Sequence, residues 1–175
     1  VRVIAVTAAP YNENSDETVE SGRQEAQDIV DVAGYSVKYG VFAGSPDYIT
    51  RRGEAVNGDG VEAIAKAVRE SDGPVYIVST GCITNVTSAL LLDPSIKDNM
   101  CVVWLGGNQL DSNNLGEFNL VQDFKAGQML LNSGVPVLLC PAWSVTCVLT
   151  ANHDKILELK GHNKICDYLF QITEE

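Results

Sequence analysis

The stretch Val75-Tyr-Ile-Val-Ser-Thr-Gly-Cys-Ile-Thr-Asn-Val-Thr-Ser-Ala-Leu-Leu-Leu92 decides the fold class. Val75–Val78 is a short strand with apolar residues on both faces, and Val86–Leu92 reads as a helix that follows a Gly-containing turn. A strand apolar on both faces belongs in a parallel sheet covered by helices, because parallel strands need crossover connections that lie over the sheet.

The same step recurs on either side of this stretch. Upstream, Val1–Thr7 reads as a strand, and Ala26, Ile29, Val30 and Ala33 repeat at helical spacing before Gly34. Val37–Ala43 reads as another strand, followed by the polar loop Asn57–Gly60 and a helix carrying Val61, Ile64, Ala65 and Val68 on one side. Downstream come a strand at Cys101–Leu105, a helix at Ala126–Leu131, a strand at Val135–Leu139 and a helix-like tail through Ile156, Leu157, Leu159 and Ile165. The expected architecture is α/β: one open, mostly parallel sheet with helices on both faces. Such sheets bind ligands at the carboxyl ends of their strands, so functional residues are expected in those loops.

Composition fits one domain spanning 1–175. Of 175 residues, 45% are apolar, enough for a buried core. No apolar run approaches the roughly 18 to 20 residues that a membrane-spanning helix needs. The first residues, Val1–Thr7, lack the basic lead-in and cleavage site of a signal peptide. Net charge is −11, with a denser acidic patch at Asn12–Glu20. That field repels phosphate backbones, which argues against nucleic-acid polymers and anionic membranes and favours a small neutral ligand or a cation. The five cysteines are an odd number without CxxC spacing, and three sit in apolar surroundings. A reducing, cytoplasmic setting is expected.

Several loops carry candidate chemistry beside an ordinary structural explanation. Ser79–Asn85 could present amides to an anion or carbonyls to a cation; on spacing alone, a turn in which Thr84 or Asn85 caps the helix is the plainer reading. Leu105-Gly-Gly-Asn108 fits a dinucleotide loop poorly and reads as tight backbone packing. In Gly116-Glu-Phe-Asn119 a carboxylate and a carboxamide flank Phe118. In an extended segment Glu117 and Asn119 point the same way, and together they suit a diol such as ribose. His153-Asp154 follows Asn152, so a helix cap and first-turn acid explain it better than acid catalysis. Asp28 and Asp31 read as a solvated helix face.

Taken in order, four stretches resemble the inosine–uridine-type nucleoside hydrolases. They are Ala5–Asn12; Gly81-Cys-Ile-Thr-Asn85 with Ala89, Leu90 and Pro94; Val102–Gly107 with Glu117-Phe-Asn119 and Asp123; and Ser133–Val137 with Val145-Thr146. Val41–Gly44 falls where the family has a similar Val-Tyr-Ala-Gly. The resemblance implies hydrolysis of a ribonucleoside N-glycosidic bond to ribose and free base, with Ca²⁺ holding the ribose hydroxyls and the attacking water. It implies substrate contacts at Asn12, Glu117, Phe118 and Asn119 and at a loop asparagine, Asn113 or Asn114, of which Asn114 is the position carried forward. The backbone carbonyl of Thr84 is the implied metal contact, and a homo-oligomer is the implied assembly.

The chain also departs from the family pattern. The Asp-x-Asp-x-x-x-Asp-Asp cluster has no counterpart in Val1–Tyr11, and about seven residues separate Thr146 from His153, too few for the family's His-Asp pair. Cys82 replaces Pro, Trp104 replaces Met, Phe124 replaces Pro, and Ser144 replaces Asp. The expectation is a divergent domain, incomplete at both ends, whose catalytic residues are unassigned. The alternatives are a non-catalytic riboside-binding or structural homologue, or an unrelated ligand-binding α/β domain.

Overall fold

Two parallel sheets carry the chain in the computed structural model, which describes residues 1–12 and 15–174. Part of the acidic patch, Glu13 and Asn14, therefore lies outside the described residues. The first sheet pairs β1 (Val6–Thr7) with β2 (Val41–Phe42), and the second has the order β3 (Val75–Ser79), β4 (Met100–Trp104), β5 (Val137–Leu139). Between β1 and β2 runs α1 (Ser15–Ala33). After β2 come α2 (Ile49–Arg52) and α3 (Asp59–Arg69); α4 (Thr84–Leu92) joins β3 to β4, and α5 (Phe118–Gln122) and α6 (Phe124–Asn132) join β4 to β5. The tail forms α7 (His153–Leu157) and α8 (Lys164–Glu174), and α8 packs on α1.

The strand expected over Val1–Thr7 is shorter than its apolar run. Hydrogen bonds from Tyr39 N to Ile4 O, Val6 N to Gly40 O and Ala8 N to Phe42 O show pairing only from Ile4 onward. Val1 to Val3 are exposed, so their apolar character is not used in the core.

The core lies between β3–β5 and one helix layer. Val102 and Trp104 of β4 are buried with Ile64 and Val68 of α3, Val86, Ala89 and Leu90 of α4, and Ala126 and Leu130 of α6. Strand alternation sends the intervening residues to the other face. There Tyr76 is 67% exposed, Val78 69% and Leu138 59%. In register they adjoin Cys101 and Val103, making one largely exposed apolar surface among the described residues.

The cover is unequal: α4 packs between α3 and α6, and α3 also touches both β1 and β2, whereas α1 contacts β2 and carries α8. Of the five cysteines only Cys82 is buried, against three expected core thiols; Cys101 lies in β4 opposite exposed Tyr76. Among the described residues no helix is long and apolar enough to cross a membrane.

Candidate functional site

The turn after β3 is held from three directions. Trp104 donates its indole N–H to the Gly81 carbonyl at 3.1 Å. A Cβ on Gly106 would come within 2.3 Å of that indole, so the first glycine of the Gly-Gly pair that the sequence marks as packing leaves room for the ring. Cys82 donates its thiol to Pro10 O at 2.9 Å, and burial pushes that thiol up to about 11.

Thr84 and Asn85 do not cap α4, whose N-cap is Ile83 with no side-chain bond. Their side chains reach other elements instead. The Thr84 hydroxyl donates to Asp123 Oδ2 at 2.6 Å. Asn85 Nδ2 donates to Ala8 O at 2.8 Å, and Asn85 Oδ1 accepts from Ser45 N at 2.7 Å. A buried carboxamide used in this way fixes the end of β1 and the exit of β2 to the turn after β3.

The Glu117–Asn119 segment is not extended. Glu117 is the N-cap of α5, and its carboxylate accepts from Asn119 N at 2.9 Å, Leu120 N at 2.9 Å and Gly107 N at 2.8 Å. The side chain therefore turns back onto the helix end, where acceptor and helix dipole agree, rather than following strand alternation. It is only 6% exposed. Asn119 Nδ2 donates to Thr80 O at 3.1 Å and Leu105 O at 2.9 Å, joining the carboxyl ends of β3 and β4. Asn119 Oδ1 accepts nothing from the described residues. No buried side-chain polar atom among them lacks a partner, so this oxygen is within reach of solvent.

Phe118 is exposed, as are Asn113 and Asn114 in the preceding loop. Asn114 is internally bonded: its side-chain oxygen accepts from Gly116 N at 2.8 Å, and its carbonyl accepts from Asn108 Nδ2 at 2.8 Å. Asn12 has a left-handed backbone, φ 61°. Its N–H donates to Gln122 Oε1 at 2.9 Å, and its carbonyl accepts from the Tyr48 hydroxyl at 3.0 Å.

Helix α5 thus gathers what the sequence left scattered. Its first turn meets the ends of β3 and β4 through Glu117 and Asn119; its last turn meets Asn12 through Gln122; the next residue, Asp123, meets Thr84. Asp123 also accepts from Ile49 N at 2.8 Å, Thr50 N at 2.9 Å, Thr50 Oγ1 at 2.8 Å and Ala126 N at 3.2 Å. Sequence reasoning gave no role to Gln122 or Tyr48 and none beyond the motif to Asp123. Only the Asp123 bond to Ala126 N, a local helix cap, had a signal that could have been read. The reading of His153-Asp154 holds: Asn152 Oδ1 accepts from Lys155 N at 3.0 Å as the cap of α7, and His153 faces Glu174.

A family model described as inosine-uridine preferring nucleoside hydrolase matches residues 3–175. The chain belongs to this family. The pyrimidine-specific ribonucleoside hydrolase RihA of Salmonella schwarzengrund is 36% identical over 86 residues, 47% of this chain and 28% of that protein. RihA of Escherichia coli O1:K1 / APEC is 37% identical over 82 residues, 45% of this chain and 26% of the relative. Among solved structures, the purine-preferring ribonucleoside hydrolase from Gardnerella vaginalis superposes with a TM-score of 0.80 at 23% identity, covering 98% of this chain and 62% of that one. An inosine-guanosine nucleoside hydrolase gives 0.76 at 21% identity, covering 98% and 65%. These structures establish a shared nucleoside hydrolase fold, and this chain spans less than two thirds of either.

For a nucleoside hydrolase chain, a divalent cation is the natural group to test against the site. Calcium takes about six to eight oxygen ligands, several of them carboxylate. Among the described residues no group of three or more His, Cys, Asp or Glu side chains is arranged to hold a metal. The two buried carboxylates at the site, Glu117 and Asp123, are already surrounded by protein donors. Thr84 opens α4 and is fully buried. These residues by themselves do not fit a calcium cage.

Proposed function

We propose that this chain supplies the ribose-binding part of a ribonucleoside N-ribohydrolase, a site that releases ribose and a free base by breaking the N-glycosidic bond. The observation that carries the reading is Asn119. Its amide nitrogen is clamped across the carboxyl ends of β3 and β4, and Oδ1, an acceptor, is left without a partner among the described residues. A clamped acceptor can take a sugar hydroxyl without losing side-chain entropy on binding.

The names of the relatives support a site directed at the sugar. They differ in base, pyrimidine-specific for one and purine-preferring or inosine-guanosine for others, and share the nucleoside. Asn12, Asn114, Phe118 and Asn119 are the proposed ribose and base contacts, with Glu117 fixing the start of α5. Bond breaking places positive charge on the ribosyl group, and oriented amide and carboxylate oxygens stabilise it. Calcium and the Thr84 carbonyl enter only through the family resemblance. A cytoplasmic homo-oligomer is part of the same proposal, and five free cysteines are in keeping with a reducing compartment.

One observation favours a second reading, a riboside-binding or structural homologue without turnover: both buried carboxylates serve backbone amides. Calorimetric titration with ribose, uridine and inosine, paired with a reducing-sugar assay, separates the two. Heat of binding with sugar release supports the hydrolase. Binding without release supports the homologue, and neither signal overturns both.

A further inference from the structure

Asn12, one of the proposed sugar contacts, has a left-handed backbone with φ 61°. Asparagine tolerates this region better than most side chains, yet outside glycine it persists only where the surroundings hold it. Here both main-chain groups of Asn12 are held. Its N–H donates to Gln122 Oε1 at 2.9 Å, and its carbonyl accepts from the Tyr48 hydroxyl at 3.0 Å. The same hydroxyl stands 3.1 Å from Gln122 Oε1, so the two holders also touch each other. Asn12 is exposed, and its carboxamide has no hydrogen-bond partner among the described residues.

The two holders are themselves fixed by one anion. Gln122 ends α5, and the next residue, Asp123, accepts from Ile49 N at 2.8 Å and Thr50 N at 2.9 Å. Tyr48 directly precedes Ile49 and is the N-cap of α2. The bonds thus close a ring: from Asn12 to Gln122, along the chain to Asp123, across to Ile49, back along the chain to Tyr48, and through its hydroxyl to Asn12. Tyr48 is 2% exposed, and burial raises its phenol, so the hydroxyl keeps the proton that it donates. Asn119, the other clamped sugar contact, lies three residues before Gln122 on the same helix. We propose that Gln122 and Tyr48 are positioning residues: by holding the Asn12 backbone left-handed they set where its carboxamide meets a sugar hydroxyl, and α5 thereby fixes Asn12 and Asn119 relative to one another. The role rests on the ribose-binding reading of the site. A contact held in place before the sugar arrives binds it without a further cost of ordering.

Amide exchange followed by NMR and calorimetric titration with ribose, both on the full chain, test it. Gln122→Leu should speed exchange at Asn12 N by about tenfold and weaken ribose binding by about tenfold. Gln122→Glu keeps an acceptor for Asn12 N and for the Tyr48 hydroxyl, and should retain both. Tyr48→Phe removes a single oxygen and leaves α5 untouched; it should weaken ribose by about threefold or more. Asn12→Gly admits the left-handed backbone but removes the carboxamide, so in that background Gln122→Leu should cause no further loss of affinity. Additive losses would place Gln122 on the sugar itself and overturn the positioning role. Unchanged Asn12 exchange in Gln122→Leu overturns it without reference to any sugar, as does wild-type ribose affinity in both Gln122→Leu and Tyr48→Phe. If exchange at Asn12 responds but the wild type binds no ribose, the ribose-binding reading itself fails, and the positioning role falls with it.

Discussion

The Thr84 hydroxyl and the Asp123 carboxylate, 39 residues apart in sequence, meet at 2.6 Å with both side chains buried. The same carboxylate binds the first two amides of α2 and an amide of α6, so three helix beginnings converge on one anion. Removing it leaves several buried donors without an acceptor. Asp123→Ala should destabilise the chain by about 3 kcal/mol or more, and Thr84→Val by about 1 to 2 kcal/mol. Urea denaturation of each variant measures this; a loss under about 0.5 kcal/mol for Asp123→Ala would show that the cluster does not organise the fold.

Glu117 offers a comparison of charge with shape. Glu117→Gln keeps the length but replaces one acceptor oxygen with a donor that faces backbone N–H groups. It is expected to cost about 1 to 3 kcal/mol. The loop from Gly107 to Gly116 should then exchange its amides faster, because Gly107 N loses its carboxylate partner. A variant as stable as the wild type, with unchanged exchange in that loop, contradicts the capping role.

Cys82 sets a stability limit at high pH. Its thiol is raised from the ordinary 9.0 to about 11, chiefly by burial. A group whose folded value lies above its unfolded one contributes stability that is complete below about pH 9 and is lost as pH rises through about 11, an effect of order 2 to 3 kcal/mol. Melting temperatures of wild type and Cys82→Ala between pH 8 and pH 11 should therefore converge as pH rises, if Ala leaves the neighbouring packing intact. Parallel curves would contradict the assignment. At pH 8 iodoacetamide should label exposed Cys147 well before Cys82.

The joint between the sheets rests on Asn85. Replacing it with Ala strands the Ser45 amide and the Ala8 carbonyl, for an expected loss of about 2 to 4 kcal/mol. Asn85→Asp keeps the acceptor for Ser45 N but sets an anion against the Ala8 carbonyl, so it should not rescue. Gly44→Ala tests the same place by sterics, since a Cβ there would lie 2.0 Å from Ala8 O. Chemical denaturation ranks the three; wild-type stability in Asn85→Ala would remove the joint from the account.

How far the sequence could be read depended on whether a signal was local. Val75–Ser79, α4 and β4 appear where apolar blocks and their spacing put them, because burial writes itself into composition. Thr84 and Asn85 read as caps for the same reason that misleads: short polar residues at a helix start usually bond nearby amides. Their partners here are Asp123, Ala8 and Ser45, which no spacing rule connects. Glu117 and Asn119 stand out in the sequence as a carboxylate and an amide flanking Phe118, yet strand alternation gave the wrong local geometry. The unequal helix cover was not legible at all, since Tyr76, Val78 and Leu138 look like core residues in sequence and are exposed in the fold.

The packing of α8 on α1 has a consequence for the order of assembly. Helices α1 and α8 are far apart in sequence, so the β1–α1–β2 unit gains this partner only after the residues between them have been made. Contacts of that sequence separation slow folding. During that interval the exposed flank of α1 is the surface on which a chaperone would be expected to act.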